Sequence, residues 1–245
     1  MSKFIKILIP VFITIFAYSG YKVYEYCNET KESIETYSLL EEYTYFDTDS
    51  TENKGIVVPQ VDFNALYHVN DDIVSWIYCE DTVINYPVVQ GNDNSYYLSH
   101  LFDGSYNNSG CLYLDSRNSR DFSDDNSIIY GHNMKNGTML ASINQYKEQS
   151  YYDKYPYMLL ITPDNNFKVN LFAGFMEDIK GDAWQIEFKG ENEKIKWLEE
   201  AKNKSTFVSD VFPSSEDKIV TFSTCSDENS NVRYVLMGVL ECIKQ

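Results

Sequence analysis

Basic side chains are scarce in this chain: 20 Lys and Arg stand against 37 Asp and Glu, a formal net charge of −17. Binding phosphates needs clustered Lys and Arg, so this balance excludes a nucleic-acid binder. Histidine is scarcer still, with His68, His100 and His132 separated by 32 residues at each step (68 to 100, 100 to 132). No CxxC spacing occurs either, which leaves no zinc-type ligand set. The acidic stretch Asp121 to Asn126 lacks the glycine and closing glutamate of a calcium loop and reads as a solvated turn. No metal or other cofactor is expected. The five cysteines, Cys27, Cys79, Cys111, Cys225 and Cys242, are odd in number for a fully bridged exported domain, so at least one thiol remains. No internal repeat or low-complexity tract is evident.

What is present is enough apolar material for one sizeable core: 245 residues, 43% hydrophobic and 16% aromatic. Lys3 and Lys6 precede a mostly apolar run from Ile7 to Tyr21 that Lys22 closes. The pattern is that of a signal sequence or signal anchor. Tyr18, Tyr21 and Tyr24 stand where a signal peptidase needs small side chains, so retention is expected. From Phe4 the stretch is about 18 residues, at the short end of what spans a bilayer. The flanking lysines put the N-terminus in the cytoplasm and the rest outside. Three segments follow from this reading: a membrane anchor over 1–23, an extracytoplasmic helical stalk and linker over 24–55, and a compact domain over 56–245.

Within the stalk, Ile34, Tyr37 and Leu40 recur at three-residue spacing, which predicts an amphipathic helix. Asp62 is placed to cap a short helix bearing Phe63 and Leu66. Beyond it the chain reads as short strands between Gly, Asn and Asp turns: Ile73 to Tyr78, Val83 to Val89, Gly110 to Leu114, Ser127 to Tyr130, Tyr157 to Thr162, Phe167 to Met176, Lys218 to Thr224 and Arg233 to Ile243. Helical insertions are expected at Thr138 to Tyr146 and Glu191 to Lys202. Many short strands of this kind predict a mostly β fold, a barrel or sandwich with added helices.

Three residues carry the chemistry. Cys225 closes the strand in TFSTC, where a reactive side chain meets solvent while its backbone is held. A thiolate is the nucleophilic form, so such a cysteine needs a partner that takes its proton. His132, just past the apolar strand of SIIYGH, is that candidate, with Gly131 allowing a turn. Arg233 heads the last strand on the face of Val235, Met237 and Val239. Its cost of burial would be met by the oxyanion of an acyl-transfer intermediate. The plainer readings are a structural histidine, an inert buried cysteine and a salt bridge from Arg233 to Asp227 or Glu228. An inert buried thiol suits Cys242 better, because Cys242 belongs to the alternate face with Tyr234, Leu236 and Leu240.

From about Val61 onward the chain resembles the class B sortases of Gram-positive bacteria. The text that carries the likeness is DFNALYHVNDDIVSWI, INYPVVQGNDNSYYLSHLF, GCLYLDSRN, SIIYGHNMKNGTM and TFSTC with the Arg233 strand after it. Phe222 replaces the commoner leucine of the TLxTC-type motif. The resemblance implies the eight-stranded sortase barrel, with a helical segment before it and a helix inserted ahead of the catalytic-cysteine strand. It implies a cysteine transpeptidase, also classed as a thiol protease and hydrolase. Such an enzyme cleaves the C-terminal sorting signal of a secreted protein after threonine and passes the acyl group to a peptidoglycan-precursor amine. On that analogy Cys225 is the nucleophile, His132 the acid and base, and Arg233 with a backbone N–H near Ser226 the oxyanion holder. Asn94, Leu98 and Ser223 would contact the substrate. A different exported cysteine acyl-transfer enzyme or peptidase, and a non-catalytic surface-binding domain, are the competing readings.

Overall fold

The computed structural model describes residues 3–46, 56–225 and 231–243. One helix, α1 (Lys3–Leu40), runs without a break across the expected anchor and most of the stalk. The expectation of a transmembrane helix is corrected here: among the described residues no helix is long and apolar enough to cross a membrane. The reason is in the run itself, where Pro10, Thr14, Ser19 and Gly20 dilute an already short apolar stretch. Most of the linker over 47–55 lies outside the described residues.

After α1 the chain forms β1 (Thr44–Tyr45), which pairs with β2 (Gln60–Val61) in a separate two-stranded ribbon. Helix α2 (Phe63–Val69) starts where the sequence places it, because the Asp62 carboxylate accepts the Ala65 N–H at 2.9 Å. Phe63 and Leu66 are its buried residues. Eight strands then close a barrel: β3 (Ile73–Tyr78), β4 (Asn85–Val89), β5 (Leu112–Leu114), β6 (Asn126–Gly131), β7 (Tyr157–Ile161), β8 (Asn166–Asp178), β9 (Ile219–Cys225) and β10 (Val232–Ile243). Their order around the barrel is β10-β8-β7-β3-β4-β5-β6-β9. Pairing is antiparallel except at β4–β5 and β6–β9. Closure removes the open edges that a sheet of this size would expose.

Side-chain alternation along β10 feeds two cores. Tyr234 and Leu236 belong to the barrel interior with Trp76, Leu112 and Phe222. Val235 and Met237 point outward, where Trp197, Leu198 and Ala201 of α4 (Glu191–Lys204) cover them. The insertion expected at Thr138 to Tyr146 is a 3-10 turn over Ala141–Lys147, followed by α3 (Gln149–Lys154). Cys242 is exposed near the end of β10, not buried; among the described side chains the buried thiols are Cys79 and Cys111. At Cys242, β10 has run past the packed part of the barrel, as the exposed Glu241 beside it shows.

One polar cluster holds the surface between β5 and β6. Asp115, wholly buried just past β5, accepts from Arg117 Nε at 2.9 Å, Arg117 Nη2 at 2.8 Å and the Arg117 backbone N–H at 3.0 Å. The Tyr130 hydroxyl donates to it at 3.0 Å, and the Asn94 amide adds a further bond. Burial opposes ionisation of this carboxyl, but the donors outweigh it and hold the pKa at about 2. The stabilisation is therefore fully present above the ordinary aspartate pKa of about 4 and is lost as pH falls through about 2. Asp115→Asn is expected to lower Tm at neutral pH and to flatten the acid limb of a Tm-against-pH curve. An unchanged acid limb would show that the cluster contributes nothing to acid stability.

Candidate active site

Strand pairing assembles the site. In the antiparallel β9–β10 pair, Cys225 lies opposite Arg233 and Ser223 opposite Val235. In the parallel β6–β9 pair, Tyr130 lies beside Ser223 and Gly131 beside Thr224. One step further along each strand come His132 and Cys225. His132, distant in sequence, is thus brought to the same end of three adjacent strands as the neighbouring pair Cys225 and Arg233 by backbone pairing.

At that end a groove of about 700 Å³ opens. Asn94, Leu98, His132, Ser223 and Arg233, all singled out from the sequence, line it. Ser226 lies outside the described residues, as do Asp227 and Glu228. Leu98 is 42% exposed, so its side chain is open to the groove. Asn94 is held in place: its Oδ1 accepts the Ser116 N–H at 2.8 Å. Ser223 is buried and its hydroxyl accepts the Trp184 indole N–H at 3.2 Å.

His132 is oriented by a carbonyl. Its Nε2 is 2.8 Å from the Leu98 oxygen. A carbonyl can only accept, so Nε2 carries a proton and Nδ1 is the nitrogen left to take or give one. Gly131 serves space, not a turn conformation. A Cβ there would stand 2.8 Å from Leu140 Cγ, and Gly131 is not among the glycines with positive φ. Leu140 in turn donates its N–H to the His132 carbonyl at 3.2 Å, closing the excursion that starts at the histidine.

Several groove residues escaped the sequence reading. Tyr113, Tyr130 and Arg117 line it from the β5–β6 side. The alternation in SIIYGH was the available signal for Tyr130, two residues before His132. The opposite wall did not escape it entirely: the stretch Lys180 to Lys189 with Trp184 reads in the sequence as a groove border without a position, and the structure places Ile179 to Gln185 there. Asn126 fixes that segment by donating to the Ala183 and Gln185 carbonyls at 3.2 and 2.9 Å, and the Trp197 indole donates to Asp182 at 3.0 Å.

The buried thiols of Cys79 and Cys111 are unsuited to nucleophilic work. Burial pushes Cys79 up to about 11 and Cys111 up to about 12, so both are neutral thiols near pH 7. Arg233 is half-buried, with Nη1 donating to the Val232 carbonyl at 3.2 Å. A guanidinium beside a strand-end cysteine and an imidazole with one free proton site can support covalent acyl transfer.

No protein-family model matches the chain. Individual relatives do. Sortase B of Staphylococcus aureus (strain NCTC 8325 / PS 47) is 30% identical over 244 residues, 100% of this chain and 98% of the relative. Sortase B of Listeria monocytogenes serovar 1/2a is 31% identical over 237 residues, 96% of both chains. Among solved structures, a Staphylococcus aureus sortase B–substrate complex superposes with a TM-score of 0.78 at 28% identity, covering 88% of this chain and 99% of that one. Clostridium perfringens sortase B superposes at 0.69 with 32% identity, covering 74% and 100%. With identity of this order over the full length and the same eight-stranded barrel, the chain belongs to the sortase B family of cysteine transpeptidases.

Proposed function

We propose that this transpeptidase cleaves a C-terminal sorting signal of secreted proteins after threonine and transfers the acyl group to a cell-wall amine. The observation that carries the reading is the register that puts His132, Cys225 and Arg233 at one strand end beside an open groove. The Cys225 thiol passes its proton to Nδ1 of His132, the sulfur attacks the threonine carbonyl carbon, and the carbonyl oxygen takes the negative charge. Arg233 and a backbone N–H near Ser226 stabilise that oxyanion. On collapse the C–N bond breaks, and His132 gives its Nδ1 proton to the departing amine. The thioester then meets an incoming peptidoglycan-precursor amine. His132 recovers a proton from it as the C–S bond breaks and the thiolate is restored.

Asn94, Leu98 and Ser223 would contact the signal peptide along the groove. The buried bond between Ser223 and Trp184 supports a fixed wall there, and the exposed Leu98 supports an apolar contact. The substrate complex known for the Staphylococcus aureus relative supports a peptide-sized groove in this family.

The reading extends to location. We propose that the enzyme works outside the cytoplasmic membrane and is held at it by the N-terminal part of α1. Ile9, Phe12, Ile15, Phe16 and Tyr18 are all exposed on that helix, giving apolar surface on several sides. Lys3 and Lys6 before this stretch and Lys22 after it add positive charge at its two ends, which suits a helix held at a membrane surface.

Incubating the full chain with threonine-containing sorting peptides should give an acyl adduct on Cys225, seen by mass spectrometry, which an added amine converts to a transfer product. Absence of any adduct from folded enzyme would defeat the assignment, and hydrolysis that ignores the amine would favour a peptidase. Cys225→Ala should abolish transfer. Arg233→Ala should lower it about 100-fold or more through lost oxyanion stabilisation. Arg233→Lys should remain impaired, because an ammonium lacks the fixed fork of donors; full activity in that variant would reduce Arg233 to a general charge. On fractionation of expressing cells the chain should sediment with membranes and be open to external protease once the wall is removed. Recovery in the cytosol would contradict the proposed location.

A further inference from the structure

We propose that Tyr37, on the helix outside the barrel, is a positioning residue for His132. This rests on the reading of His132 as the acid and base. Tyr37 is 5% exposed, and its hydroxyl donates to the Gly110 carbonyl at 2.6 Å. Burial raises this phenol well above its ordinary pKa, so it stays a donor.

Gly110 is the shelf under the histidine. Its φ is +61°, and a Cβ there would stand 2.5 Å from the Tyr97 oxygen, 2.9 Å from the Leu98 oxygen and 3.1 Å from His132 Cδ2. The same Leu98 oxygen accepts the Nε2 proton of His132. The turn is tied further by Gly110 N–H to the Asn107 carbonyl at 3.0 Å and Cys111 N–H to the Tyr97 carbonyl at 2.9 Å. Holding Gly110 therefore holds both the ring's neighbour and the acceptor that selects its tautomer.

A second link runs from the same side chain. The Tyr37 ring meets Tyr86 edge-on, with centroids 5.3 Å apart. Tyr86 accepts the Met139 N–H on its hydroxyl at 3.2 Å. Met139 pairs with Asn133, and Leu140 donates to the His132 carbonyl, so this link ends on the backbone that carries the histidine. One side chain of α1 thus braces His132 from its ring side and from its backbone side. The Tyr37 phenol neither reaches the groove lining nor belongs to the barrel.

The test compares full-length variants by peptide transfer kinetics and by nitrogen NMR of the His132 tautomer. Tyr37→Phe removes the hydroxyl and keeps the ring. Its kcat should fall by about tenfold, short of the roughly 100-fold that a 1 Å misplacement can cost, while KM for the peptide stays within about twofold. The Nε2–H tautomer should lose population in the same variant. Glu29→Ala is the control for helix docking as such, since it removes only the Glu29 carboxylate that accepts from Asn108 at 3.0 and 3.1 Å; its tautomer balance and kcat should match wild type. If Tyr37→Phe does not fold, Tyr86→Phe tests the second link and should again lower kcat with little change in KM. Wild-type kcat and tautomer balance in folded Tyr37→Phe, with His132→Ala inactive, would overturn the positioning role. Full transfer by His132→Ala would instead overturn the catalytic reading beneath it.

Discussion

The parallel ladder between β6 and β9 is the constraint on which the site depends. It fixes Gly131 beside Thr224, and the antiparallel ladder on the other edge of β9 fixes Cys225 opposite Arg233. A slip of one residue in either ladder would turn alternate side chains to the other face and separate the groups. Both ladders are long, and their inward faces are filled by buried residues such as Ile129, Phe222 and Leu236. The packing that stabilises the barrel is therefore the same packing that sets the register of the chemistry. Placing reactive groups at the ends of rigid strands sets their backbone positions, and local contacts such as that of His132 Nε2 with the Leu98 carbonyl then orient the side chains.

Around that fixed strand end the walls of the groove are held by polar bonds of different kinds. On one side the buried Asp115 carboxylate gathers Arg117, Tyr130 and Asn94. On the other, Asn126 and Trp197 pin the segment bearing Trp184, whose indole reaches Ser223 on β9. These bonds belong to walls and not to reacting groups, so wall composition can vary while the register stays. Helix α1 adds a third support from outside the barrel through Tyr37 and Gly110. Its amphipathic half is thereby more than a stalk, since it touches the same turn that touches the histidine ring.

Much of the barrel was legible because each strand is short, alternates in polarity and ends on a turn residue. The β3 boundaries, Ile73 and Tyr78, coincide with those read from the sequence, as does the start of α4 at Glu191. The motif residues were legible because TFSTC and SIIYGH each end an apolar run on a reactive side chain. Partnership between strands was not, since β6 ends at Gly131, β9 begins only at Ile219, and nothing local in either names the other. The Ile179 to Gln185 wall was legible only as a candidate, in the stretch Lys180 to Lys189 with Trp184; its placement was not, because it has no periodicity and takes its shape from Asn126 and Trp197. Cys242 misled because the alternation of β10 continues in sequence after the core beneath it has ended. At the first apolar run the flanking charges fit an anchor, while the composition of the described helix falls short of a span.

The convergence of Cys225, His132 and Arg233 on one groove can be measured directly in solution. A methanethiosulfonate spin label on Cys225, in a chain whose exposed Cys27 and Cys242 are replaced by serine, would broaden NMR signals from nearby groups. The imidazole of His132, the guanidinium of Arg233 and the indole of Trp184 should all be broadened, while signals from β7 on the far part of the barrel stay sharp. Sharp His132 and Arg233 signals beside a labelled Cys225 would show that the three groups do not share a site.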